Sequence, residues 1–139
     1  MKKNANFKRY TDRQISNISS AYNDTESNEQ INLFEYFQIK HPEIWVNMFH
    51  VPNGGSRNIV TANRLKKEGV KPGVPDIFLE CAANGFHGLR IELKKTSGSY
   101  ATSSQKDWIE RLNKNGYKAD VCYGWIDAKE KILEYMGVE

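Results

Sequence analysis

The clearest periodic segment of the chain is Gly88-Leu89-Arg90-Ile91-Glu92-Leu93-Lys94, in which Leu89, Ile91 and Leu93 alternate with Arg90, Glu92 and Lys94. A period of two predicts a strand with one apolar side turned into a core and one charged side on which Glu92 and Lys94 stand next to each other. Upstream, Val74-Pro75-Asp76-Ile77-Phe78-Leu79 is rich in strand formers, and the Gly85 to Gly88 region between the two runs predicts a turn. A short antiparallel pair built this way sets Asp76 across from Glu92.

Helical periods flank that pair. Thr25 or Ser27 is placed to cap a helix whose apolar face is Ile31, Phe34, Tyr36 and Phe37 and which ends before Pro42. Glu26 and Gln30, four apart, share one side of it. The large side chains from Ile44 to Val51 predict a strand buried on both faces at the centre of a sheet. From Ile59 to Glu68 the chain has helical character, with Ala62 and Leu65 inward and Gly69 as the stop. Ser103 or Ser104 caps a helix from Gln105 to Asn115 whose Trp108, Ile109 and Leu112 face the core. A strand from Ala119 to Gly124 and a helix from Asp127 to Met136 close the series. This order predicts an α/β fold: a three-layer domain over residues 25–139, with a mixed β-sheet flanked by helices. Residues 1–24 are polar and read as an arm or an added helix.

Composition bounds the class. A chain of 139 residues with 39% hydrophobic and 12% aromatic residues suffices for one ordinary core. No run of about eighteen apolar residues exists, and the start Met1-Lys2-Lys3-Asn4-Ala5-Asn6 lacks the apolar stretch of a signal peptide, so no membrane partner and an intracellular location are expected. Cys81 and Cys122 lack the spacing of a zinc site and read as reduced thiols in or near the core. The net charge of +3 is modest, but its distribution is uneven. Arg57, Arg64, Lys66, Lys67 and Lys71 are opposed in their segment only by Glu68, which suits either a nucleic-acid phosphate backbone or an ordinary solvated helix face.

Two carboxylates converging on one point repel unless something positive lies between them, and hard oxygen donors suit Mg²⁺ or Mn²⁺. Asp76 and Glu92 would hold such an ion, and Lys94 would offer a charge to an attacking water or a phosphate. The same alternation also describes a solvated sheet face with a cross-strand ion pair. A glycosidase-like pair of carboxylates would leave Lys94 and the basic segment without a use. The loop Pro52-Asn53-Gly54-Gly55 allows close backbone approach to a phosphate, Asn53 can bond either backbone or water, and Arg57 is the candidate for direct phosphate contact. His50 reads as a packed histidine, and His41 and His87 as surface residues. The polar segment from Lys95 to Thr102 adjoins the site and is able to close over DNA. Its Lys95 and Tyr100 are candidate contacts, Tyr100 by stacking on a base or sugar or simply as an exposed loop residue.

From about Glu26 to Met136 the chain resembles the VRR-NUC family of nucleases within the PD-(D/E)xK superfamily. The resemblance is carried by Glu26 with Gln30, the stretch Pro52 to Asn58, the stretch Lys66 to Asp76, the triplet Glu92-Leu93-Lys94, and Gln105 with Trp108 and Leu112. Five blocks in this order are far more specific than an isolated triplet. The resemblance implies an endonuclease-like fold and divalent-metal cleavage of phosphodiester bonds. For short free-standing viral and bacterial members it implies homodimers that act on branched DNA as a Holliday-junction resolvase does, in the cytoplasm of a bacterial or phage-infected cell. It makes Asp76, Glu92 and the main-chain carbonyl of Leu93 the metal ligands, Lys94 the partner of the water, and Glu26 and Gln105 supporting groups. The competing expectation is a non-catalytic DNA-binding or scaffold module on the same fold.

Overall fold

The computed structural model of the protein describes residues 25–53 and 58–139. The expected arm at residues 1–24 lies outside them, as do Arg57 and the glycines of the Pro52 loop. Thr25 caps α1 (Glu26–Lys40), its hydroxyl accepting from the N–H of Asn28 at 3.1 Å. The buried side of α1 is Glu29, Asn32, Leu33 and Phe37, whereas Ile31 is exposed, so the apolar face is rotated from the one the sequence predicts.

Pro42 opens a single helical turn, α2 (Pro42–Trp45), where the sequence predicts the start of a strand. Proline fixes φ for a first helical position, and this local preference overrides the apolar run that follows. The strand β1 is left with Met48–His50 and lies at the edge of the sheet rather than at its centre. Then come α3 (Ile59–Lys67), β2 (Ile77–Leu79), β3 (Leu89–Lys94), α4 (Ser103–Lys114), β4 (Lys118–Tyr123) and α5 (Trp125–Met136). The strands stand in the order β1-β2-β3-β4, antiparallel for the first two pairs and parallel for β3 with β4. The parallel pair is joined through α4, the usual crossover for parallel neighbours.

The layers are unequal. The apolar core lies between the sheet and the helices α1 and α5, where Leu33, Phe37, Ala128 and Ile132 meet Ile77, Leu89, Ile91 and Leu93. The opposite face is covered by α4, which buries no residue fully; Trp108, Ile109 and Leu112 are only half-buried. That face carries Arg90, Glu92 and Lys94, and all six residues of β3 are buried. Helix α3 has no buried residue, and Ala62, expected inward, is exposed.

Two local contacts fix this frame. Glu29, buried on α1, accepts from the N–H of Trp125 at 2.5 Å and so neutralises the start of α5, where Gly124 supplies no side-chain cap. Gly73 (φ +84°) passes so near the start of α4 that a Cβ there would lie 2.5 Å from the carbonyl carbon of Ser104 and 2.8 Å from the nitrogen of Gln105. Gly69 also has a positive φ but faces open space. Gly73→Ala is therefore expected to cost about 2 kcal/mol or more in urea unfolding, through strain and overpacking together. Gly69→Ala, with backbone strain alone, should cost about 1 kcal/mol. Equal losses would contradict the close approach.

Candidate active site

The β2–β3 register pairs Ile77 with Ile91, so one step further Asp76 stands opposite Glu92. Oδ2 of Asp76 accepts from the N–H of Leu93 at 2.9 Å. The N–H and C=O of one strand residue point to the same side, so the Leu93 carbonyl also faces the Asp76 side of β3. Asp76 and Leu93 line an open cleft of about 310 Å³ together with Glu26, Ser27, Gln30, His50 and Pro52.

Glu92 is 2% exposed. Its Oε1 accepts from Nε2 of Gln105 at 2.7 Å and lies 3.5 Å from Nζ of Lys94. Its Oε2 is buried and has no hydrogen-bond partner among the described residues. Lys94 also lies 3.8 Å from Oε1 of Glu26, which in turn accepts from the Ser99 hydroxyl at 2.9 Å. Glu26, Glu92, Lys94 and Gln105 are thus linked by direct contacts, and Asp76 stands across the register from Glu92. The two other acids of α1 are not part of this group: Glu29 caps α5, and Glu35, in the second half of the helix, has a buried Oε2 with no partner among the described residues.

Gln105 is held in one orientation by a capping box that begins one residue before Ser103 and two before Ser104, the expected caps. The N-cap is Thr102, whose hydroxyl accepts from the Gln105 N–H at 3.3 Å, while Oε1 of Gln105 accepts from the Thr102 N–H at 2.8 Å. With its amide oxygen engaged, Gln105 presents its amide nitrogen to Glu92. Ser103 and Ser104, expected as caps, sit in the first turn of α4.

His50 is exposed rather than packed, and its Nδ1 lies 2.8 Å from the carbonyl oxygen of Asp76. A carbonyl only accepts, so Nδ1 carries the hydrogen and Nε2 is left for other partners. The N–H of Val51 donates to the same carbonyl at 2.8 Å, which anchors the backbone of Asp76 from β1. The signal available in the sequence was the position of His50, two residues before the Asn53 loop. Arg90, on the charged side of the alternating strand, is stacked 4.0 Å from the Phe78 ring centroid and 4.5 Å from that of Tyr117, and pairs with Glu80 at 2.6 Å.

The outer candidates are more dispersed. Asn53 spends its amide on the carbonyl of Lys71 at 2.6 Å, so it ties two loop ends together rather than pointing freely outward. Arg64, Lys66, Lys67 and Lys71 are exposed, and Arg64 is 3.6 Å from Glu68. Tyr100 is 81% exposed and Lys95 half-buried.

Among the described residues no group of three or more His, Cys, Asp and Glu side chains is arranged to hold a metal. The donors present are two carboxylates and a main-chain carbonyl. That set suits Mg²⁺ or Mn²⁺ better than zinc, because these hard ions retain several waters and need only one or two carboxylates. The partnerless Oε2 of Glu92 fits such an ion, since a buried carboxylate oxygen without a donor is satisfied by a proton or by a cation. Burial, and after it the charge of Asp76, pushes Glu92 up to about 8. Burial also raises Asp76, against the Leu93 N–H, which pulls it down.

A family model for the VRR-NUC domain matches residues 24–125. A solved structure described as "VRR_NUC domain protein" is 32% identical with a TM-score of 0.74, over 84% of this chain and 92% of that one. No curated protein matches. Among the described residues no helix is long and apolar enough to cross a membrane.

The raised carboxylate gives a pH dependence of stability. Between the ordinary value of 4.5 and about 8, Glu92 holds more proton in the folded than in the unfolded chain. Stability therefore falls as pH rises through that window. In chelator, the melting temperature is expected to drop by about 2–6 °C more between pH 5 and 8 in the wild type than in Glu92→Gln. Parallel pH profiles for the two proteins would contradict the buried pair.

Proposed function

This chain belongs to the VRR-NUC family, a family of nuclease domains, and on that premise we propose that it is a divalent-metal-dependent endonuclease acting on DNA. Residues 25–139 form its nuclease domain. The observation that carries the reading is Glu92: a buried carboxylate opposite Asp76, with one oxygen tied to Gln105 and Lys94 and the other without a donor among the described residues.

Asp76, Glu92 and the carbonyl of Leu93 would hold Mg²⁺ or Mn²⁺. When bound, that ion offsets the two negative charges and polarises the phosphodiester. The remaining work belongs to the chain itself. Lys94, held between Glu92 and Glu26, keeps a positive charge beside the reacting phosphate and orients the water that attacks phosphorus. Gln105 fixes the Glu92 carboxylate, and Glu26 with Ser99 fixes Lys94 from the side of α1. Water adds to phosphorus and gives up a proton to solvent, the P–O bond to the leaving sugar oxygen breaks, and the open cleft admits a proton from solvent to that oxygen. The exposed cations Arg64, Lys66, Lys67 and Lys71, with Arg57, Lys95, Tyr100 and the Asn53 loop, supply the contacts to DNA.

The finer reading is a homodimer cutting branched DNA, since two sites related by a twofold axis suit two strands of a symmetric branch. A purely DNA-binding module would have no use for Lys94 buried against two acids.

Purified protein is expected to cut supercoiled plasmid and a synthetic four-way junction with Mg²⁺ or Mn²⁺ and not in chelator. Asp76→Asn and Lys94→Ala should each lower the rate by about 100-fold or more while leaving DNA binding in place. Cutting that persists in chelator, or wild-type rates in either variant, would contradict the mechanism. Sedimentation as a stable monomer would remove the basis for the symmetric-branch reading.

A further inference from the structure

Helix α3 stands apart from the rest of the molecule in a specific way. It has no buried residue, yet it carries the two most exposed of the large aliphatic side chains described, Ile59 at 78% and Val60 at 76%. On a 3.6-residue repeat Ile59, Val60, Asn63, Arg64 and Lys67 share one side, and Leu65, which is half-buried, lies on the other. The outward side is therefore apolar at its start and cationic along its length.

The excursion that contains α3 is pinned at both ends beside the cleft. Pro52 lines the cleft, Asn53 donates to the carbonyl of Lys71, and Gly73 is pressed against the start of α4 next to Gln105. Both ends of the segment that carries α3 thus lie beside the cleft. Two occupants compete for the outward side of α3, nucleic acid and a second copy of this chain. Charge decides between them. Arg64, Lys66, Lys67 and Lys71 face one local acid, Glu68, and a twofold contact through α3 would set these cations against themselves. Phosphates complement them.

We infer that α3 is a DNA-contacting helix in which Ile59 and Val60 press against base faces left unstacked at a fork or branch, while Arg64 and Lys67 hold the flanking phosphates. Regular duplex shows little apolar surface beyond thymine methyl groups in the major groove, whereas an opened step offers base faces against which aliphatic wedges pack. The pair then acts as a determinant of substrate shape. This inference rests on the reading of the chain as a DNA nuclease.

The test is binding in chelator, where nothing is cut, of a blunt duplex and a forked duplex of equal length, followed by fluorescence anisotropy. Ile59→Ala/Val60→Ala keeps good helix formers in α3. It is expected to lower the ratio of forked to blunt affinity about tenfold. Ile59→Ser/Val60→Ser should move the ratio the same way, and Val138→Ser, an exposed aliphatic change near the far end of the chain, should leave it unchanged. Arg64→Gln/Lys67→Gln should weaken both duplexes together and reduce the salt slope by about two. A ratio unchanged in both Ile59/Val60 double variants would overturn the inference. So would conversion of a dimer to a monomer by those variants in sedimentation, which would make the face a contact between copies. If the wild type neither binds these duplexes nor cuts plasmid with Mg²⁺ or Mn²⁺, the nuclease reading itself fails; wild-type cutting with an unchanged ratio removes only the role of α3.

Discussion

The strand β3 puts three charged side chains where water does not reach. Arg90, Glu92 and Lys94 are between 2% and 7% exposed, on a strand whose other side is the apolar core. Burial of a charge is costly unless it is paired, so each member of the row has to recruit partners from neighbouring elements. Arg90 finds Glu80 and two aromatic rings; Glu92 finds Gln105 and Lys94; Lys94 finds Glu26. These demands bring the starts of α1 and α4 to the end of the strand, while the β2 register delivers Asp76. Among the described residues two atoms of the row have no hydrogen-bond partner, Nε of Arg90, whose guanidinium lies over two aromatic rings, and Oε2 of Glu92. Of the two, only the carboxylate oxygen can take a cation, so the site lies where a buried acceptor is left open beside Asp76.

The surrounding structure keeps that point in place. Gln105 belongs at once to a helix cap and to the carboxylate, so the start of α4 and the orientation of Glu92 are one arrangement. Gly73 lets the preceding loop lie against the same helix start, and His50 with Val51 grips the carbonyl of Asp76 from the neighbouring strand. The catalytic candidates thus stand on strands and helix termini, where packing restricts their motion. The cationic α3 is different: it depends on little of the core, so its sequence is free to answer to a ligand.

Much of this was legible in the sequence wherever local and tertiary preferences agree. The alternation in β3 and the strand formers around Asp76 gave the pairing of the two acids, because register follows from which side chains are apolar. The three-layer fold followed from element order. The misreadings have physical causes. Ile44 to Val51 is apolar enough for a central strand, but Pro42 starts a helical turn and only Met48–His50 pairs. Ile31 looks like core and is exposed, because α1 turns Glu29 inward to cap α5, a contact between residues 96 apart that no local pattern encodes. His50 is exposed where its residue type suggests a packed histidine, because its role depends on a backbone carbonyl, and backbone partners leave no trace in residue type. Neither does the orphaned oxygen of Glu92, which is a fact of three-dimensional burial.

The central claim is that a divalent cation replaces the proton that the buried Asp76–Glu92 pair holds near neutral pH. Calorimetric titration with Mn²⁺ at pH 7, repeated in two buffers of different ionisation enthalpy, measures that exchange directly. The account predicts release of about one proton per bound cation in the wild type and almost none in Glu92→Gln. Binding of Mn²⁺ by the wild type without proton release, or release unaltered in Glu92→Gln, would contradict it.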